Sequence, residues 1–296
     1  MSAGAPVYPG AVIGVGNMGG AMAANLLERG WPVQVCDLVP QRAQDLVQFG
    51  AAAFSTPALA AAGREAVIVC VVDASQCDDA LFGPQGAVDA MQAGKMVLLC
   101  STIAPQDAES LARRLAERDI DTLDAPMSGG PARARDGSMS LMVAAADAVF
   151  ERCKSLLDAL SSRVFYISAR VGDGARTKLV NNLAAGINLV GAAEVLAMAQ
   201  KMGLELTATL DVIERSSGQS WIGSDRMRRA LAGDLAPRAR MSLLEKDTRL
   251  AVQAAHAAGF AGPLGAAARD VFASANAGGL ADLDDAALLQ WLSRSP

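Results

Sequence analysis

Histidine is almost absent from this chain, and its scarcity excludes several kinds of chemistry. The single histidine among 296 residues, His256, lies in the alanine-rich stretch AVQAAHAAG. A histidine in such a run is typical of helix packing or of a solvated helix face. A Ser-His-Asp triad or a His-based metal mechanism therefore has no support, because each needs histidine at the reacting centre.

Cysteine is also sparse, and its pattern does not indicate a metal site. The five cysteines are odd in number and contain no Cys-x-x-Cys pair. Several lie in or beside apolar strand-like runs, where a free thiol behaves as a small hydrophobic group. We therefore predict free thiols in a reducing cytoplasm and no metal. The residues are Cys36, Cys70, Cys77, Cys100 and Cys153.

The chain has neither a basic excess nor a long uninterrupted apolar run. Its 26 basic and 31 acidic residues give a net charge of −5, which argues against a nucleic-acid surface. No uninterrupted apolar run reaches the length of about 18 residues that predicts a membrane span. The opening residues MSAGAPVY lack the basic start and apolar run of a signal peptide. The expected location is the cytoplasm.

What the chain does contain is a change of pattern in its middle. Short apolar strands alternate with helical segments as far as residue 168, which predicts an α/β fold with a Rossmann-type, doubly wound, mainly parallel sheet. The stretch of residues 172–203 then contains the pattern of one long helix of about 28 residues, apolar on nearly every side. Everything beyond is helical in pattern. We predict a dinucleotide-binding domain over 1–168, and an all-helical domain over 169–296 that includes the interdomain helix.

The first strand leads into a glycine turn with the context of a dinucleotide site. An apolar strand over residues 11–15 is followed by a helix and by a second strand that ends at Asp37. In this setting Gly14 allows the turn, Gly16 lets the backbone approach a pyrophosphate, and Gly19 lets helix pack against strand. Asp37 lies 18 residues after Gly19, where a carboxylate binds the ribose hydroxyls and favours NAD over NADP. Arg42 would soften that preference. The alternative is a turn that only connects its neighbours.

Further loops follow the strands that end near Val72, Cys100 and Ala125, and we expect them beside the same cofactor site. The third loop reads DAPMSGG. Ser128 offers a hydroxyl, while Gly129 and Gly130 offer accessible backbone N–H groups that suit a carboxylate or oxyanion. An ordinary Pro/Gly loop explains this motif equally well.

The long helix carries two polar residues on one face, Lys178 and Asn182, four positions apart. Oxidation of a secondary alcohol needs a hydride acceptor and a base. A lysine serves as that base if a dry cleft and a nearby cation lower its pKa, and Lys246 is a candidate for the second charge. The alternatives are a lysine that reaches solvent from a buried helix and, for Lys246, a solvated helix lysine. We expect Asp247 to be a local helix partner.

Taken together, the motifs GVGNMG, DAPMSGG, GARTKLVNN and Lys246-Asp247 resemble the β-hydroxyacid dehydrogenase family, in order and over nearly the whole chain. The resemblance implies an NAD(P)-dependent enzyme of small hydroxy acids, such as 3-hydroxyisobutyrate, tartronate semialdehyde or L-threonate. It implies catalysis by Lys178 with Asn182, and binding of the substrate carboxylate by Ser128, Gly129 and Gly130. The implied cofactor residues are Gly14, Gly16, Asn17, Met18, Gly19, Asp37, Val71, Val72, Thr102 and Lys246. Met127 replaces the family's commoner valine, which changes packing more than chemistry.

Three other readings share this plan. An imine reductase has the same two domains but generally another residue where Lys178 stands. A 6-phosphogluconate dehydrogenase has a longer helical domain than this chain. A non-catalytic cofactor-binding module would not need both Lys178 and the Ser-Gly-Gly loop. The family resemblance and the apolar helical domain also imply a homodimer or homotetramer.

Overall fold

The computed structural model of the protein describes residues 7–294 and consists of two compact units, residues 1–178 and 179–296. The first unit carries the sheet, and the second is helical. The dividing point falls within the long helix, so the first turns of that helix belong with the sheet. The predicted boundary between the dinucleotide-binding domain and the helical domain, at residues 168 and 169, stays a prediction.

The first unit is built on one sheet, which contains nine strands among residues 7–294. Strands β1, β2, β3, β4, β5 and β6 are parallel, in the order β3-β2-β1-β4-β5-β6. Strand β8 is antiparallel to β6 and β7 and parallel to β9, so the sheet is mainly parallel, as predicted. The strands are β1 Gly10–Ile13, β2 Val33–Cys36, β3 Ala52–Ala53, β4 Ala66–Val69, β5 Met96–Leu99, β6 Asp121–Asp124, β7 Met127–Ser128, β8 Ser140–Ala144 and β9 Arg163–Ser168.

Helices cover both faces of this sheet, which explains why its central strands are apolar on both sides. One core contains Val12 of β1 with residues of α1 and α7; the other contains Ile13 of β1 with residues of α4 and α5. The doubly wound α/β prediction is confirmed. The helices are α1 Asn17–Glu28, α2 Pro40–Gln44, α3 Pro57–Ala61, α4 Ala74–Phe82, α5 Pro105–Ala116, α6 Gly130–Asp136 and α7 Asp147–Leu160.

The sequence pattern missed several short elements of this unit. Residues 40–49 have the sequence pattern of one helix, but the helix ends at Gln44 and a separate 3-10 turn follows at Val47–Phe49. Strand β3 and helix α3 span two and five residues, too few to display a period.

The long helix α8, Asp173–Lys201, is present as predicted, with 29 residues. It is long and apolar enough to cross a membrane, with a mean hydropathy of 1.4 over 18 residues, of which 39% are buried. The core helix of a soluble protein meets the same criterion, so length and composition carry little weight here.

As far as residue 294, the second unit contains the rest of α8 and five further α-helices. They surround an apolar core that includes Leu189, Phe272 and Leu288. Gly186 of α8 lets α11 approach closely, because a Cβ there would lie 2.5 Å from the Thr248 methyl group. The helices are α9 Leu206–Glu214, α10 Trp221–Leu231, α11 Met241–Ala257, α12 Pro263–Ala275 and α13 Leu288–Arg294, with short helical turns at Asn276–Leu280 and Asp285–Ala287.

Candidate active site

In the turn between β1 and α1, close packing requires glycine at two of the three motif positions. A Cβ on Gly19 would lie 1.9 Å from the Gly14 carbonyl oxygen, so the helix could not pack against the strand. Gly14 has φ of +87°, and a Cβ there would lie 2.5 Å from the Cys70 carbonyl oxygen. Both positions therefore exclude any side chain, for reasons internal to the protein.

Gly16 is different, because a Cβ built on it meets no protein atom within 4 Å. It lies directly before α1, whose first turn contains no acidic residue. A cavity of about 250 Å³ opens beside it, lined in part by Asn17, Arg42 and Gln48. Open space over glycine at a helix N-terminus suits the pyrophosphate of a dinucleotide, so the residues present fit that group.

The Asp37 carboxylate is turned toward the backbone of this same turn. One oxygen accepts a hydrogen bond from the Val15 N–H and the other from the Val39 N–H, both at 2.8 Å. The Arg42 guanidinium lies 3.4 Å away, and the Asp37 side chain is only 5% exposed. Asp37 therefore stabilises the backbone of the glycine turn. Its distance in sequence from Gly19 does not predict this role.

Two further loops leave the same edge of the sheet, because β4 and β5 run parallel to β1. The Val71 N–H donates a 3.0 Å hydrogen bond to the buried Ser101 hydroxyl, which joins the loop after β4 to the loop after β5. Val72 is exposed and Thr102 half-buried. Ser101, which lies beside the predicted cofactor residue Thr102, thus sets the backbone of Val71.

The Ser-Gly-Gly loop lies near the end of β6. Ser128 pairs with Ser140 of β8, and the two following glycines have positive φ values of 134° and 77°. Gly129 packs against the Arg133 side chain, whereas a Cβ on Gly130 would meet nothing within 4 Å. Gly130 is thus the position at which a ligand can approach the backbone most closely.

Asp124, the last residue of β6, connects this loop to α8. One oxygen of its carboxylate accepts hydrogen bonds from the Gly172 N–H at 2.8 Å and the Ala175 N–H at 2.9 Å. Burial raises the pKa of Asp124 to about 6, although these backbone donors act to lower it. Asp124 is the first residue of the DAPMSGG motif, but the sequence pattern indicates no role for its carboxylate.

Lys178 lies in the second turn of α8, and Asn182 one turn further along the same helix; each is 8% exposed. In the second unit, the Asn182 amide donates a 2.6 Å hydrogen bond to Asp247. The Lys246 ammonium lies 3.1 Å from the other oxygen of the same carboxylate. Asp247 is therefore a local partner of Lys246, as expected, and it also accepts a hydrogen bond from a residue of another helix, which the sequence pattern did not indicate.

All five cysteines are free, and burial raises the pKa of Cys70 to about 12. Between residues 7 and 294, no three His, Cys, Asp or Glu side chains are grouped so as to hold a metal ion.

Two family profiles match successive parts of the chain. Residues 10–168 match the NAD binding domain of 6-phosphogluconate dehydrogenase. Residues 172–292 match the family described as NAD-binding of NADP-dependent 3-hydroxyisobutyrate dehydrogenase. Together they span both units and indicate NAD(P) binding.

Individual relatives are similar over almost their whole length. An L-threonate dehydrogenase of Cupriavidus necator is 37% identical over 94% of each chain. A 3-hydroxyisobutyrate dehydrogenase of Pseudomonas aeruginosa is 36% identical over 88% of this chain and 90% of its own. A crystal structure named 3-hydroxyisobutyrate dehydrogenase, from Salmonella typhimurium, superposes with a TM-score of 0.90 at 34% identity, covering 96% of this chain and 99% of its own.

Proposed function

The chain belongs to the β-hydroxyacid dehydrogenase family, and from that premise we propose that it oxidises a short sugar acid of the L-threonate type with Lys178 as general acid and base. It is an NAD(P)-dependent oxidoreductase of small hydroxy acids. We propose the identity of the acid, the role of Lys178 and the roles of the binding residues.

The position of Lys178 carries this proposal. Lys178 is largely buried and lies one turn beyond the start of α8. Asp124 accepts hydrogen bonds from that helix start and precedes Ser128, the first residue of the Ser-Gly-Gly loop, by four residues. A bound nicotinamide supplies the hydride acceptor. As the hydride leaves the carbinol carbon, the hydroxyl proton passes to the Lys178 amine and the C–O bond becomes a carbonyl. In the reductive direction the Lys178 ammonium returns that proton.

We assign the substrate carboxylate to the Ser128 hydroxyl and the backbone N–H groups of Gly129 and Gly130. Positive φ at both glycines and the open space over Gly130 support this assignment. Asn182, one turn beyond Lys178, is proposed to orient the lysine or the substrate. Lys246 and the residues Gly14, Gly16, Asn17, Met18, Gly19, Asp37, Val71, Val72 and Thr102 are proposed for the cofactor.

The choice of L-threonate rests on the relative of that name, which is 37% identical over 94% of this chain. A sugar acid presents several hydroxyl groups beside its carboxylate, whereas 3-hydroxyisobutyrate carries a methyl group. A site that hydrogen-bonds a hydroxyl rejects the analogue that lacks it far more strongly than an apolar site rejects an added hydroxyl. We therefore expect a clearly higher kcat/KM for L-threonate than for 3-hydroxyisobutyrate.

Substrate oxidation, measured as the appearance of NADH or NADPH, tests the proposal. L-threonate, D-glycerate, 3-hydroxyisobutyrate and 3-hydroxypropionate are each supplied with NAD or NADP, and the parent is compared with Lys178→Ala. Lys154→Ala, an exposed lysine on α7, is the matched control. We expect turnover of L-threonate by the parent and Lys154→Ala, and a loss of at least about 100-fold in Lys178→Ala with NADH binding retained.

Three other outcomes would contradict parts of the proposal. Turnover of cyclic imines but no hydroxy acid would favour an imine reductase, the reading against which Lys178 counts. NADH binding without turnover of either class would favour a cofactor-binding module. L-threonate turnover that survives in Lys178→Ala would remove the lysine from the mechanism.

We also propose that the protein is a homo-oligomer whose contacts include the far end of α8. Val195, Met198 and Met202 form an exposed apolar stripe on that helix at spacings of three and four residues. A second copy of the chain is the proposed cover. A cytoplasmic location remains a prediction.

A further inference from the structure

The start of the Ser-Gly-Gly loop is fixed by the sheet. The Ala125 N–H donates to the Leu99 carbonyl oxygen at 2.9 Å, and the Met142 N–H donates to the Pro126 carbonyl oxygen at 3.0 Å. Asp124 itself is paired with Leu99 of β5 and, on its other side, with β8. The backbone that leads to Ser128 is therefore held from both neighbouring strands.

The side chain of Asp124 holds a different element, the first turn of α8. Its carboxylate is only 2% exposed and accepts hydrogen bonds from the N–H groups of Gly172 and Ala175. Amides in the first turn of a helix have no partner within that helix, and an acceptor of negative charge stabilises them. Lys178 follows Ala175 by three residues and so lies over the same face of the helix.

Gly174 lets this contact form. A Cβ on Gly174 would lie 2.6 Å from the Asp124 carbonyl oxygen, 2.9 Å from its carboxyl carbon and 2.9 Å from the Met142 carbonyl oxygen. Its φ value is not positive, so alanine would be compatible with the backbone and would act only through this collision. The helix end thus rests directly on the backbone at the end of β6.

The outer side of the same helix turn is held by a separate, solvated ion-pair group. The Arg176 guanidinium donates to Glu109 at 2.6 Å and to Asp173 at 2.9 Å, and these side chains are partly exposed. Exposed ion pairs contribute little to stability, because water screens them. Removal of Glu109 therefore provides a control that weakens the attachment of this helix end without touching Asp124.

We propose that Asp124 is a positioning residue that sets Lys178 in register with the loop Ser128–Gly130. Its backbone begins that loop, and its carboxylate fixes the helix that carries the lysine. The inference rests on the proposed function, since it concerns the distance between the assigned base and the assigned carboxylate site. A misplacement of about 1 Å between reacting groups can cost about 100-fold in rate.

Kinetics of four variants test this inference, with L-threonate or whichever acid the parent turns over. We expect Asp124→Ala to lose about 100-fold in kcat with the Kd for NADH unchanged. Asp124→Asn keeps an acceptor oxygen and should stay within about threefold of the parent. Gly174→Ala should lose kcat while it still binds NADH, and Glu109→Ala should match the parent.

Several results would overturn the inference. The inference is wrong if a folded Asp124→Ala keeps the kcat of the parent. It is also wrong if Asp124→Ala and Asp124→Asn lose kcat and NADH affinity to the same extent. If Asp124→Ala does not fold, a folded Gly174→Ala with full kcat overturns it instead.

Lys178→Ala, measured in parallel, separates this inference from the proposed function. An inactive Lys178→Ala beside an active Asp124→Ala removes only the inference. An active Lys178→Ala, or a parent inactive on every acid, removes the proposed mechanism and the inference together.

Discussion

The Asn182 amide donates a 2.6 Å hydrogen bond to the carboxylate of Asp247, 65 residues later in the chain. Lys246 lies 3.1 Å from the other oxygen of that carboxylate. Two residues that family resemblance assigns to the active site are thus held by a third that sequence reasoning had set aside.

Loss of Asp247 should therefore act through both Asn182 and Lys246. We expect Asn182→Ala to lower kcat/KM roughly 10-fold, Asp247→Ala to lower it at least as much, and the double variant to be no worse than Asp247→Ala alone. Steady-state kinetics of the four proteins in this cycle measure the coupling. Additive losses would show that the two side chains act independently.

Alanine substitutions at Gly19 and Gly16, both in the first turn, should have different effects. Gly19→Ala puts a Cβ 1.9 Å from the Gly14 carbonyl oxygen and should unfold the protein or lower its Tm strongly. Gly16→Ala meets no protein atom, so its Tm should match the parent while the Kd for NADH rises. Thermal unfolding and NADH fluorescence titration measure the two effects. Unchanged NADH affinity in Gly16→Ala would place the pyrophosphate elsewhere.

Cofactor preference should depend on Asp37 and Arg42 as a pair. Asp37→Asn keeps an oxygen that can accept from the Val15 N–H but loses the charge that repels a 2′-phosphate. With Arg42 3.4 Å away, we expect the kcat/KM ratio of NADP to NAD to rise about 10-fold or more. Adding Arg42→Ala should reverse the gain. A ratio that does not move would exclude this pair from recognition of the ribose.

The buried Asp124 carboxyl should leave a signature in the pH dependence of stability. Because burial raises its pKa to about 6 in the native state, its stabilising contribution is complete below about pH 4 and is lost as pH rises through 6. Ionised Asp124 then costs about 3 kcal/mol at neutral pH. Stability of Asp124→Asn relative to the parent should rise between pH 4 and 7, measured by urea unfolding. A constant difference would mean that Asp124 titrates normally.

The apolar stripe on α8 should control the assembly state. Met198 is 56% exposed, and we expect Met198→Glu to lower the mass measured by light scattering to that of one chain. Leu59→Glu, on α3 of the first unit, replaces a side chain of similar exposure and should leave the mass unchanged. A monomeric parent would contradict the proposed assembly.

The features that the sequence predicted correctly depend on local patterns. The glycine turn, the mainly parallel sheet and the long helix each appear as a run of residues with a period or a fixed spacing. Their energetic origin is local as well: burial of both strand faces, or exclusion of a Cβ from a turn. Helix α8 was predicted within about two residues at each end because no proline interrupts it and a glycine with positive φ stands beside each end, at Gly172 and Gly203.

Elements without such a pattern were missed. The reversal of β8 arises from pairing with β6 and β7, and nothing within the residues of β8 encodes its direction. The carboxylates of Asp124 and Asp247 bind partners 48 and 65 residues away. Side chains at such separations meet only when whole elements pack.

The sequence by itself therefore determined the fold class, the family and the type of chemistry, because these follow from motifs whose order and spacing are local. The tertiary structure alone decided how the functional residues are held: Asp37 against Val15, Asp124 against the start of α8, and Asp247 against Asn182. The physical reason is that a buried carboxylate must find donors wherever packing brings them, and packing depends on the whole chain.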